Sequence, residues 1–206
     1  MRIQNAISKI PSSVWVRMHK DKVRLVVPRL LVDVEPGLRN VRPRGWSEGS
    51  TWANSDAAFF SQTKTLVVAE KYLTRDGREA KSGRVVSVTR HELGHAFDLV
   101  AGRTALPLSA SGEYRDVYTK DVAHVKSRNR EPLSYFMPGN SGGGEEAFAE
   151  AFAIAVGGTQ SSHDDRRFKE SFPRVCYFVR QAIHAYGAPP APPRNQRKRV
   201  LQPAGG

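Results

Sequence analysis

The run Arg90-His91-Glu92-Leu93-Gly94-His95-Ala96-Phe97-Asp98 sets two imidazoles four residues apart, with a carboxylate beside the first. On an α-helix, positions i and i+4 lie one above the other, so His91 and His95 would face the same way and share a single metal ion, zinc above all. Zinc draws the pKa of a bound water toward neutrality, and Glu92 is placed to take that water's proton as a general base, which is the chemistry of amide hydrolysis. The same residues also fit an ordinary amphipathic helix with satisfied histidines, so the rest of the chain has to decide.

A catalytic zinc takes three protein ligands and keeps one position open, so a third donor is needed. The metzincin arrangement would put a histidine at position 101, where Ala101 stands, and that class is excluded. His19, His124, His163 and His184 are each isolated. The one cysteine, Cys176, rules out an internal disulfide and a thiolate-rich site, and reads as a core residue. Glu146 and Glu150 are better donors. They lie four apart in the alanine-rich stretch 145–156, ended by Gly157-Gly158, whose small side chains would let the carboxylates approach the motif helix. Glu145 and Glu146 also suit the positive end of a helix dipole, an explanation that does not reach Glu150 in the helix interior. Phe148 and Phe152 repeat the spacing on a different face and read as core. Asp98, one turn beyond His95, is placed to support the site by a hydrogen bond, or is a plain surface aspartate.

The elements that must position these groups can be read in part. Val85–Ala101 is expected to be one helix with Gly102 at its end, so the motif sits mid-helix, where Gly94 marks a close approach by something else. Upstream, 57–60 and 65–70 form a hairpin followed by a turn at Asp76-Gly77, and 65–70 is the clearest strand in the chain. Residues 23–27, stopped by Pro28, read as a strand at a sheet edge. A short helix opens the chain before Pro11, while 12–20 suits a helix or a strand equally. The stretch 33–46, with two prolines and three arginines, is loop; 113–127 is a polar, largely surface helix; and 172–186 is an amphipathic helix with Val175, Phe178, Val179 and Ile183 inward. From 188 the chain becomes proline-rich and basic, which predicts a disordered tail, so residues 1–187 are expected to be a single domain.

Bulk properties narrow the class. With 206 residues, 39% hydrophobic and 25% charged, the chain suits one globular domain, and no apolar run approaches the roughly 18 residues of a membrane span. The N-terminus lacks the basic start and apolar stretch of a secretory signal, so a cytoplasmic location or non-classical export is expected. A net charge of +12 suggests acidic partners such as nucleic acid or anionic surfaces, with the tail contributing four positive charges; a solvated basic surface is the plainer reading.

His-Glu-Leu-Gly-His-Ala-Phe-Asp followed by Glu-Ala-Phe-Ala-Glu-Ala-Phe resembles the metallopeptidase domain of anthrax lethal factor and its relatives, a gluzincin-type group. The resemblance runs over about 50–186 and takes in Ala101-Gly102, Leu133-Ser134-Tyr135 and Phe172-Pro173-Arg174. It implies an α+β, zincin-like fold: a small twisted sheet with an edge strand beside the active-site helix, and a mainly helical C-terminal part. It implies one zinc ion on His91, His95 and Glu146, Glu150 in support, Glu92 as catalytic base and Tyr135 as oxyanion donor. It matches 65–70 to a strand that pairs with extended substrate, which makes Leu66, Val67 and Val68 substrate-binding. The expected function is a zinc-dependent endopeptidase, a monomer acting on protein or peptide. The alternative is a non-catalytic, zinc-stabilised module that binds nucleic acid or another anionic partner. A glycine-rich insertion, 139–144, separates Tyr135 from Glu146 and departs from the family's pattern.

Overall fold

The computed structural model describes residues 2–43, 46–102, 106–139, 142–159 and 161–188. The proline-rich basic tail and its proposed anionic contact lie outside the described residues, apart from Ala188. Two short helices open the chain, α1 (Arg2–Ile7) and α2 (Ser12–Lys20). The 12–20 stretch is helical because Val14 and Met18, four apart, are both fully buried, whereas Val16 on the other side is exposed.

Three strands make the main sheet: β1 (Arg24–Val26), β2 (Ala57–Phe60) and β3 (Thr65–Val68), in the order β1-β3-β2. β3 pairs in parallel with β1 and antiparallel with β2, the latter as the expected hairpin. A second hairpin, β4 (Lys71–Leu73) with β5 (Glu79–Lys81), turns at Asp76-Gly77, where Gly77 adopts φ +79°. β1 is at a sheet edge, as expected. β3 is not. It is the middle strand, hydrogen-bonded on both sides, and Leu66, Val67 and Val68 have no exposed surface. Leu66 and Val68 enter the core shared with the helices, while Val67 joins Leu30, Leu31, Val32 and Ala53 on the opposite face. Covered on both faces and both edges, these three residues cannot receive substrate; each contributes instead roughly 1.5–3 kcal/mol of burial.

The remainder is helical: α3 (Val85–Ala101), α4 (Gly112–His124), α5 (Ser127–Arg130), α6 (Gly143–Ala155), α7 (Ser162–Ser171) and α8 (Pro173–Gly187). The fold is therefore mixed α+β, with a small sheet and a mainly helical C-terminal part. No described helix is long and apolar enough to cross a membrane. α4 departs from a surface helix: Tyr114 and Asp121 are buried, the first donating to the Gly144 carbonyl at 2.6 Å and the second accepting from the backbone of Arg174 and Val175. Asp121 thereby caps the start of α8. Phe178 is only partly buried, but Val175, Val179 and Ile183 point inward as expected, and Cys176 is buried beside them.

α3 and α6 make the most extensive helix pairing in the molecule. They meet at the expected glycine: a Cβ on Gly94 would lie 2.6 Å from the Ala149 Cα, so the two backbones touch with no side chain between them. Around that point Phe97 stacks on Phe148 and Phe152 and meets Tyr186 edge-on. Gly102 ends α3, though not by a left-handed turn; its backbone is extended (φ −58°, ψ 141°) and a Cβ would fall 2.1 Å from the Leu106 carbonyl oxygen.

Candidate metal centre

Helix α3 carries His91 and His95 one turn apart, their rings 5.0 Å from centroid to centroid. Helix α6 brings Glu146 up between them: its Oε2 is 2.9 Å from His91 Nε2 and 3.4 Å from His95 Nε2. One donor atom from each of these three residues lies within 4.8 Å of the others. Ligand atoms of a tetrahedral zinc with bonds of 2.0–2.1 Å stand about 3.3 Å apart, so two nitrogens and an oxygen at this spacing suit zinc in both chemistry and size. No other group of histidine, cysteine and acidic side chains with this geometry occurs among the described residues. His19, His124, His163 and His184 stand apart from it.

The close approach of α3 and α6 is what makes the arrangement possible. Alanines at 147, 149, 151 and 153 are buried, so α6 can lie near enough for a carboxylate to reach two imidazoles. Glu150, one turn beyond Glu146, accepts or shares a proton with His91 Nδ1 at 3.0 Å. That contact fixes the ring and leaves Nε2 facing Glu146. Burial works against a charged His91, yet its bonds to Glu146 and Glu150 outweigh it and raise the imidazole to about 10. Burial likewise opposes ionisation of Glu146, but the two histidines hold its carboxyl well below the usual range.

Glu92 faces the sheet. Its Oε2 accepts the backbone N–H of Phe59 at 2.9 Å, from the outer edge of β2. β2, rather than β3, is thus the strand beside the site. Along a strand the amides alternate, so Ala57 turns the same way as Phe59, and the Ala57 carbonyl accepts the Ser55 hydroxyl at 2.7 Å. A cleft of about 480 Å³ runs between this edge and α3, bounded by Glu92, His95, Glu146, Phe59, Trp46 and Trp52 among others.

Tyr135 lines the same cleft, on a short 3-10 turn (Ser134–Phe136) before the glycine-rich loop. Burial of its hydroxyl, and then the carboxylates of Glu146, Glu92 and Glu150, push its pKa upward, so it is a proton donor at any ordinary pH. Tyr135 and Glu146 line one cleft although the insertion 139–144 lies between them in sequence, and Gly142, at φ +104°, is the residue from which α6 starts.

Asp98 requires a correction. It is buried, but it does not support a histidine: Oδ1 accepts the Ser109 N–H at 2.7 Å and Oδ2 the Ser109 hydroxyl at 2.6 Å. Burial raises its carboxyl to about 6, against the pull of those bonds. Its work is to fasten the segment 106–111 against α3, along one wall of the cleft. That wall is formed by Pro43, Trp46, Trp52 and Pro107, from the loops 42–52 and 103–112 that the sequence marks as shaping the pocket without saying which of their residues face it. No periodicity marks such residues, since they stand on turns and not on regular elements.

No protein-family model matches the chain, and no curated protein matches it.

Proposed function

We propose that the protein is a zinc-dependent endopeptidase of zincin-like fold, with zinc held by His91, His95 and Glu146. The observation that carries this reading is the convergence of Glu146 on both motif histidines, with Glu150 behind His91. Bound zinc would supply an acidified water and polarise the scissile carbonyl.

The chain's own residues then have distinct tasks. Glu92 takes the proton from the attacking water and passes it to the leaving amine. The Phe59 N–H that holds one of its oxygens fixes the carboxylate toward the cleft. Tyr135, kept protonated by its surroundings, donates a hydrogen bond to the oxygen that gains charge in the transition state, worth a few kcal/mol for a well-placed donor. The outer edge of β2 borders the cleft beside His95 and Glu146, and an extended peptide would lie along it, pairing only with the outward groups that Glu92 and Ser55 leave open, the Ala57 N–H and the Phe59 carbonyl. Protein or peptide is therefore the substrate class.

Glu92→Gln is the decisive variant, because it keeps the shape and the metal ligands and removes only the base. Zinc content should stay near one per chain while cleavage of a peptide library falls by about a hundredfold to ten-thousandfold. Undiminished cleavage by folded, zinc-loaded Glu92→Gln protein would overturn the mechanism.

A further inference from the structure

Arg90 directly precedes the first motif histidine, is 5% exposed, and among the described residues hydrogen-bonds to no carboxylate, although the charge of Asp165 acts on it. Its guanidinium is held by four backbone carbonyls. Nη1 donates to Gly157 at 2.9 Å and Gly158 at 2.8 Å; Nε and Nη2 reach Ala6 and Asn5 in α1, each at 3.4 Å. Gly157 and Gly158 form the turn that ends α6, with φ +128° and +81°. A Cβ on Gly157 would sit 2.9 Å from the guanidinium carbon, so the group lies flat on a turn that only glycine can provide. Asp165 holds the far side of the same turn through Thr159, with both oxygens engaged by its N–H and one by its hydroxyl. Burying a guanidinium without a paired carboxylate is expensive, and such a group persists where its hydrogen bonds are needed.

The placement has a mechanical reading. Gly94 against Ala149 fixes how closely α3 and α6 approach, and Phe97 against Phe148 and Phe152 packs beside that point. A tie farther from the close approach resists rotation with a longer lever. Arg90 lies one turn before Gly94 on α3 and grips the turn just past the end of α6, whose last residue, Ala155, is about 9 Å along the axis from Ala149, whereas Glu146 lies about 4.5 Å on the other side of the pivot. Rotation of α6 by 10° about the pivot would shift Glu146 by about 0.8 Å, beyond the roughly 0.2 Å that metal-ligand distances tolerate.

We infer that Arg90 is a positioning residue for the metal centre, fixing the crossing angle of α3 and α6 so that Glu146 meets His91 and His95; the inference rests on the zinc reading above. Arg90 touches none of the three, and acts through the helices that carry them.

The test uses the full chain, zinc-binding titration, and cobalt(II) in place of zinc, whose visible absorption reports ligand geometry. Arg90→Met should fold, by circular dichroism, yet bind zinc about ten- to a hundredfold more weakly and give an altered cobalt(II) spectrum. Arg90→Lys, which keeps the charge and part of the reach, should fall between it and the parent. Gly157→Ala keeps Arg90 but forces its guanidinium off the turn, and should change the spectrum in the same direction. If Arg90→Met does not fold, the other two variants carry the test by the same measurements. Parent-like affinity and spectrum in folded variants, with only the melting temperature lowered, would show Arg90 to be structural and end the inference. A parent that takes up no metal would remove the zinc reading itself.

Discussion

On one side of the cleft, α3 and α6 meet backbone to backbone at Gly94 and Ala149, with Phe97, Phe148 and Phe152 packed behind them. On the other, Pro43, Trp46, Trp52 and Pro107 stand on turns, and Trp46 is 38% exposed. The first wall presents the groups that would hold a metal, the second the surfaces that would meet a substrate. The difference teaches that the candidate metal ligands are placed by regular packing, which tolerates little change, and the facing wall by irregular backbone, which tolerates much.

The sharpest way to break this contrast is at Gly94. Gly94→Ala introduces a methyl against the Ala149 Cα and carbonyl, main-chain atoms that no substitution on α6 can move aside. The helices must separate, at a cost of about 1–3 kcal/mol or more, and zinc affinity should fall with the melting temperature. Thermal unfolding with and without zinc checks both; a variant as stable and as avid as the parent would mean that the helix pair is not the rigid wall.

Asp98 sits on the seam, since it grows from α3 but fastens the loop wall through Ser109. Its carboxyl is raised to about 6 from an ordinary value near 3.9, so the folded chain holds the extra proton between those pH values. Its contribution to stability is therefore greatest at low pH and is lost as pH rises from about 4 to about 6, by at most about 3 kcal/mol. Denaturant titrations of the parent and Asp98→Asn across that window should differ by this slope, while their zinc affinities at pH 7 stay close. A large change in zinc affinity would place Asp98 with the metal wall after all.

The smallest effect is expected at the rim. Trp46→Ala should leave zinc uptake and stability nearly unchanged and raise KM for good peptide substrates about fivefold, the loss of one aromatic contact of roughly 1 kcal/mol. Profiling of cleavage sites would sharpen the contrast further, because preference should move while kcat at saturation does not.

The same division explains what could be read from the sequence. His91, His95, Glu146 and Glu150 were legible because a period of 3.6 fixes which residues share a face, and the close approach at Gly94 because glycine in a helix interior asks for a reason. The sheet order was not written in that way. Residues 66–69 form an unbroken apolar run, Leu-Val-Val-Ala, and such a run without polar alternation marks a strand covered on both faces, which argues for the centre of the sheet over its edge. The resemblance implied an edge position for 65–70, which the middle strand β3 does not have. Helix α7 escaped notice because Ser-His-Asp-Asp-Arg-Arg-Phe-Lys-Glu-Ser contains a single large apolar residue, Phe168, whose burial depends on Phe136 and Phe172 from elsewhere in the chain. The burial of Tyr114 and Asp121 within the polar helix 113–127 was not legible for a like reason: their partners, Gly144 and the start of α8, are distant in sequence.

An open strand edge that invites a peptide also invites a second copy of the same edge, and sheet proteins commonly aggregate that way. On β2 the outward N–H of Phe59 is occupied by Glu92 and the outward carbonyl of Ala57 by Ser55. The carboxylate proposed as the base would thus also oppose pairing with a second copy, and Glu92→Ala protein should be more prone to oligomerise on concentration than Glu92→Gln, whose amide oxygen can still accept from Phe59.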